Sequence, residues 1–118
     1  MTAYLNIALI GAGNLAWHLG PVLENAGHKI SLVKGGSRKN TLQLIDRLYN
    51  ARQKKDLDFS SDPLDMVLLA VPDSRIAEIS AEIILPDECL LAHTSGCQPI
   101  SILDRAAASF YGVFYPLQ

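Results

Sequence analysis

The stretch that decides the fold is "NIALIGAGNLAWHLG", residues 6–20. From Leu5 to Ile10 the chain is nearly continuous apolar sequence, the kind that forms a central strand buried on both faces. Two closely spaced glycines follow, Gly11 and Gly13. Beyond them Leu15, Leu19, Val22, Leu23 and Ala26 recur at helical spacing, and Gly27 stands where a left-handed residue ends such a helix. The reading is strand, glycine turn, helix. Pro21 falls inside the helix, where it removes one backbone hydrogen bond, so a bend is expected near Trp17.

Outward from this stretch, short apolar runs keep alternating with longer amphipathic ones. Ile30 to Val33 is expected as a second strand, Thr41 to Ala51 as a second helix, and Leu57 to Phe59 as a short third strand. "MVLLAV", Met66 to Val71, is a strong strand closed by Pro72-Asp73, and Ile76, Ile79, Ile83 and Ile84 then mark a helix ended by Pro86. Cys89 to Ala92 and Tyr111 to Phe114 supply two more strands, with a short helix near Ile100 to Ala107 between them. This alternation implies an α/β fold, a doubly wound, Rossmann-like parallel sheet of roughly five to six strands. Its ligand crevice is expected beyond the carboxyl ends of the strands, where the strand order reverses.

A chain of 118 residues with 49% hydrophobic content builds one core, so a single domain over residues 1–118 is expected. Lys plus Arg number 10 against 12 Asp plus Glu, with no long run of either sign, which argues against nucleic acid or an anionic membrane as partner. A small molecule fits better. Cys89 and Cys97 form no C-x-x-C pair and have no ligand-spaced histidines, so neither a metal site nor a disulfide scaffold is indicated. The absence of a basic leader and of an apolar run of transmembrane length leads to the expectation of a cytoplasmic protein.

Gly11-Ala12-Gly13-Asn14-Leu15-Ala16 fits G-x-G-x-x-A, the dinucleotide fingerprint with alanine in third place. The first residue must turn tightly, the second must let backbone approach a pyrophosphate, and the third must be small enough for helix and strand to touch. An anion there sits on free backbone N–H groups at the positive end of the helix dipole, with Asn14 able to add a donor. The competing reading is a plain strand-to-helix turn.

NAD-preferring domains usually carry an acid about 20 residues past the glycines, on the adenosine ribose hydroxyls. Between Glu24 and Asp46 this chain has none. The second strand runs instead into Lys34-Gly35-Gly36-Ser37-Arg38-Lys39. A 2′-phosphate needs charge-assisted donors, which Ser37, Arg38 and Lys39 can supply, so NADP is expected over NAD. The bland alternative is a solvated basic loop.

"AVPDS", Ala70 to Ser74, follows the fourth strand, and Val71, Pro72 and Asp73 are expected to pass along the cofactor. Asp73 or Ser74 is also suited to cap the next helix. "AHTSG", Ala92 to Gly96, is the most polar cluster after a buried strand. His93 and Ser95 are candidate catalytic residues there, and Thr94 a candidate cofactor contact, set against the structural roles such residues commonly fill.

Taken together, "IALIGAGNLAWHL", "GGSRKN", "LLAVPDSRIAEI", "HTSG" and "GVFYPLQ" resemble the N-terminal Rossmann-like domain of a family of NADP oxidoreductases. That family is related to pyrroline-5-carboxylate reductase and the deazaflavin-dependent NADP oxidoreductases. The resemblance implies that Gly11, Gly13, Asn14, Leu15 and Ala16 bind the pyrophosphate, that Ser37 and Arg38 bind the 2′-phosphate, and that His93 to Gly96 face the nicotinamide. It further implies a helical C-terminal domain, absent from this chain, that helps form the substrate site and dimerises. Tyr115 stands where the family often has histidine before "PLQ". The expected function is that of the cofactor domain of an NADP-dependent oxidoreductase, passing a hydride between nicotinamide and a small carbonyl or imine. A nucleotide- or redox-sensing module without catalysis is the alternative. S-adenosylmethionine is a more distant candidate ligand, since its enzymes usually want an acid after the second strand.

Overall fold

The computed structural model describes residues 4–94, 99–103, 106 and 108–113. Ten elements follow one another among these residues. The strands are β1 (Asn6–Ile10), β2 (Lys29–Lys34), β3 (Arg52–Gln53), β4 (Met66–Leu69), β5 (Leu90–His93) and β6 (Phe110–Val113); the helices are α1 (Asn14–Asn25), α2 (Arg38–Asp46) and α3 (Asp73–Glu82), with a short 3-10 helix at Ile100–Leu103. All six strands are parallel and form one sheet in the order β3-β2-β1-β4-β5-β6. This is the doubly wound architecture expected from the sequence.

The side-chain alternation of each strand explains why both faces are covered. Ile7 and Leu9 of β1, with Met66 and Leu68 of β4, pack against Ala16, Leu19 and Leu23 of α1 and Leu44 of α2. Ala8, Ile10, Val67 and Leu69 point the other way, onto Ile76, Ile79 and Leu103. A shift of register between Ile7 and Ala8 gives β2 one extra residue, Ser31, whose hydroxyl donates to the Asn6 side-chain carbonyl.

The first helix forms as its sequence requires. It runs through Pro21 as one element and ends at Ala26. Gly27 follows with φ +99°. The Gly27 N–H donates to Glu24 O at 3.0 Å and the His28 N–H to Leu23 O at 3.1 Å, the paired bonds of a glycine-terminated helix.

Three expectations fail locally. The third strand is Arg52–Gln53 rather than Leu57 to Phe59. A two-residue edge strand has no hydrophobic signature, whereas Phe59 is fully buried from an irregular crossover pinned by a bridge between Asp58 and Ile84. The second helix begins earlier and ends sooner than Thr41 to Ala51, because Ser37 caps it and its last backbone bonds close at Arg47. Neither Asp73 nor Ser74 caps α3. Pro72 occupies the cap position without a side-chain hydrogen bond, and Asp73 falls in the first turn.

Cys89 lies fully buried just before β5. Burial pushes its thiol up to about 11, which keeps it protonated and unreactive near neutral pH. Cys97 lies outside the described residues.

Candidate functional site

β1 has β2 on one side and β4 on the other, so the strand order reverses there and the segments leaving β1 and β4 diverge. The glycine turn leaves β1 at this point, and Ala70-Val71-Pro72 leaves β4. A cavity of about 260 Å³ opens between them, lined by Gly11, Ala12, Gly13, Gly36, Ser37, Asn40, Ala70, Val71, Pro72 and Arg75. Folding therefore brings together the glycine turn, Ser37 and the Val71-Pro72 segment, which the sequence had placed near the ligand separately. A second cavity of about 330 Å³ lies on the helix side of the same turn, lined by Ala12, Gly13, Asn14, Trp17, Asn40 and Gln43.

The two glycines are required for different reasons. Gly11 has φ +119°, and a Cβ there would lie 2.1 Å from the Ala70 carbonyl oxygen, so the fold itself excludes any other residue. Its N–H donates to Lys34 O at 2.8 Å, tying the turn to the end of β2. Gly13 has φ −87°, a value open to every residue, and a Cβ there would meet nothing within 4 Å. Nothing among the described residues asks for glycine at position 13; what it leaves is bare backbone facing open space. Gly13 caps α1 without a side-chain hydrogen bond, and the first turn holds no acid, so the amides that start α1 face outward with the helix dipole behind them. Ala16 is fully buried against the sheet, the close helix contact expected of the third small residue. Asn14 lines the second cavity, and Leu15 stands partly exposed on α1.

The post-β2 segment is more ordered than a solvated loop. Gly35 packs so closely that a Cβ would come 2.1 Å from Thr41 Oγ1 and 2.9 Å from the Ala12 Cβ, which seats the start of α2 against the glycine turn. Ser37 caps α2, its Oγ accepting from Asn40 N–H at 3.3 Å. A serine hydroxyl retains its own O–H for a ligand while it accepts. Arg38 and Lys39 are exposed in the first turn of α2, beside Ser37, and neither lines the two cavities.

The polar cluster after β5 is held differently. His93 is fully buried, and its Nε2 lies 3.2 Å from the Pro99 carbonyl, which accepts and so makes that nitrogen the donor. Thr94 is buried too, and its Oγ1 donates to Leu69 O at 3.2 Å, joining the ends of β4 and β5. Ser95 and Gly96 lie outside the described residues, as do Tyr115 and the rest of "YPLQ". Asp73 is exposed on the first turn of α3.

Sequence reasoning missed Asn40 and Arg75. Asn40 follows the capping serine by three residues, so the cap places its amide beside the crevice. Arg75 precedes Ile76, whose burial turns the rest of α3 away from the core; a helical reading of "DSRIAEI" anchored on Ile76 and Ile79 carries that signal. Among the described residues no group of three or more His, Cys, Asp or Glu is placed to hold a metal. No helix among them is long and apolar enough to cross a membrane.

An all-parallel sheet with order 3-2-1-4-5-6 and a glycine turn at its switch point defines a doubly wound α/β domain of the dinucleotide-binding architecture. The chain belongs to the Rossmann-like domain family, whose sequence profile matches residues 1–110. It is also similar to the crystal structure of a "putative NADP oxidoreductase" from Bacteroides fragilis, with a TM-score of 0.84 and 31% identity over 98% of this chain. The chain spans 45% of the length of that protein. No curated protein matches it.

Proposed function

We propose that this chain is the cofactor-binding domain of an NADP-dependent oxidoreductase. The observation that carries this reading is Gly13: the fold explains Gly11 from within, while Gly13 gains its reason only from a ligand approaching the backbone. In this reading the amides that open α1 take the pyrophosphate, Val71 and Pro72 border the adenosine, and Ser37 with Arg38 takes the 2′-phosphate. The Bacteroides protein's description as an NADP oxidoreductase supports the cofactor class, and the lack of any acid between Glu24 and Asp46 supports NADP over NAD. When bound, such a cofactor supplies hydride chemistry at its nicotinamide, here toward a small carbonyl or imine; the protein supplies orientation and electrostatics. His93 and Thr94 act in this reading as the frame of the β5 end. The Bacteroides relative extends well beyond the part that this chain matches, which leaves room in a protein of that length for a domain that completes the substrate side.

A second reading, a nucleotide- or redox-sensing module, is favoured by one feature: the described polar groups after β5 are bonded inward rather than offered to a substrate. Calorimetry decides the cofactor question. Arg38→Ala should weaken NADPH binding about tenfold and leave NADH nearly unchanged, as loss of a charge-assisted phosphate contact requires. Equal losses for both would remove Arg38 from the 2′-phosphate site. Trp17, the single tryptophan, lines the cavity beside Gly13, so its fluorescence gives an independent titration signal.

A further inference from the structure

Among the described residues, Arg75 is the only charged one lining the crevice between the glycine turn and the β4 exit. It also borders an adjoining cavity of about 80 Å³ whose lining includes Gly11, Lys34, Gly36, Leu57, Val71 and Ile79. Its backbone position is firmly held. Ile76 and Ile79 bury the far side of α3, and the Arg75 N–H donates to Pro72 O at 2.9 Å to close the first turn. The side chain is exposed.

We propose that Arg75 is the adenine clamp of this site, laying its planar guanidinium over one face of the adenine ring and serving NADP and NAD alike. The inference rests on the dinucleotide reading above and names a residue that the reading does not use.

Three features separate a stacking role from a phosphate-binding one. The Arg75 Nε already pairs with Glu78 Oε2 at 3.3 Å, one turn along α3, so part of its charge is balanced and one edge of the plane is oriented while the faces stay open. On the far flank of Arg75, a cavity of about 500 Å³ brings Asp56, Asp58 and Glu82 against Lys34 and Arg75. Three carboxylates beside two cations make poor surroundings for a dianion and do not penalise a neutral ring. Gly36 lines the same crevice, and a Cβ there would meet nothing within 4 Å, so no side chain crowds that part of the lining. The adjoining cavity has apolar Leu57, Val71 and Ile79 in its lining beside Lys34, and the guanidinium plane at its border offers a face suited to the π-face of adenine.

The test is a set of calorimetric titrations of the 118-residue chain and its Arg75→Met and Arg75→Lys variants with NADPH, NADH and AMP. Arg75→Met keeps an apolar stem, and the exposed position lets both variants fold, which a melting curve checks. The expected result is about tenfold weaker binding of all three ligands to Arg75→Met, with the NADPH to NADH affinity ratio unchanged. Arg75→Lys should recover little, because an ammonium lacks the stacking plane. A selective loss of NADPH would make Arg75 a phosphate ligand and overturn the clamp, as would full recovery by lysine or unchanged binding by Arg75→Met. If the unaltered chain binds NADPH, the dinucleotide reading stands whatever the variants do; if it binds none of the three, that reading falls and the clamp falls with it.

Discussion

The turn after β1 and the segment after β5 leave the same edge of the same sheet, yet they dispose of their polar groups in opposite ways. The glycine turn has no polar side chain before Asn14, but it presents backbone amides at a helix start without a side-chain cap, beside a cavity. The β5 end is rich in polar side chains, and those described are turned inward, His93 to the Pro99 carbonyl and Thr94 to that of Leu69. Polarity in a sequence is thus a poor guide to which strand end offers polar groups still free to bind. What matters is whether the fold has already satisfied the group, since a buried donor without a partner costs more than a bond returns.

The largest effect expected from this contrast is at Gly11. Gly11→Ala places a methyl group on the Ala70 carbonyl at a left-handed φ, and should cost about 3 kcal/mol or more, seen as a thermal transition lowered by at least roughly 10 °C. An unchanged melting temperature would mean that the turn relaxes freely and that Gly11 is not a structural requirement.

His93→Ala comes next. It leaves a buried hole and removes the donor facing Pro99, so a loss of about 2–3 kcal/mol in denaturant unfolding is expected. NADPH affinity should stay within about threefold, because His93 does not line the crevice. A stable variant with abolished binding would reverse the contrast between the two strand ends.

Gly13→Ala is the smallest change and the sharpest test. Stability should move by less than about 0.5 kcal/mol, since the added methyl meets nothing in the protein. NADPH binding measured by calorimetry should weaken about tenfold or more, as the methyl occupies the approach to the backbone. Retained binding would leave Gly13 without a purpose and return the motif to a plain turn.

Much of the architecture was legible because it is periodic. The apolar run before Gly11, the 3.6-residue recurrence after it and Gly27 at the helix end all translate into backbone geometry locally, and each appears where expected. β3 was illegible for the opposite reason: two residues, Arg52 and Gln53, pair by backbone at a sheet edge and carry no side-chain pattern. Leu57 and Phe59 look like a strand because they are apolar, but the crossover they belong to fills the core without one. Within the site, Gly11, Gly13 and Ser37 could be picked out from motif and composition, whereas for Arg75 the helical pattern gives only its outward face on α3, because nothing local says that the first turn of α3 lines the same crevice as Gly36.

By itself the sequence determined that this protein is a doubly wound α/β domain with a glycine turn after its first strand and no acid after its second. Those features depend on nearest neighbours along the chain, on side-chain period and on the φ angles that glycine permits. Tertiary structure alone decided that the fold requires Gly11 and not Gly13, that Arg75 lines the crevice, and that His93 is bonded into the interior. Each of those depends on what lies near a residue in space, and the partners, Ala70 for Gly11, Gly36 in the same crevice as Arg75 and Pro99 for His93, come from other elements of the chain.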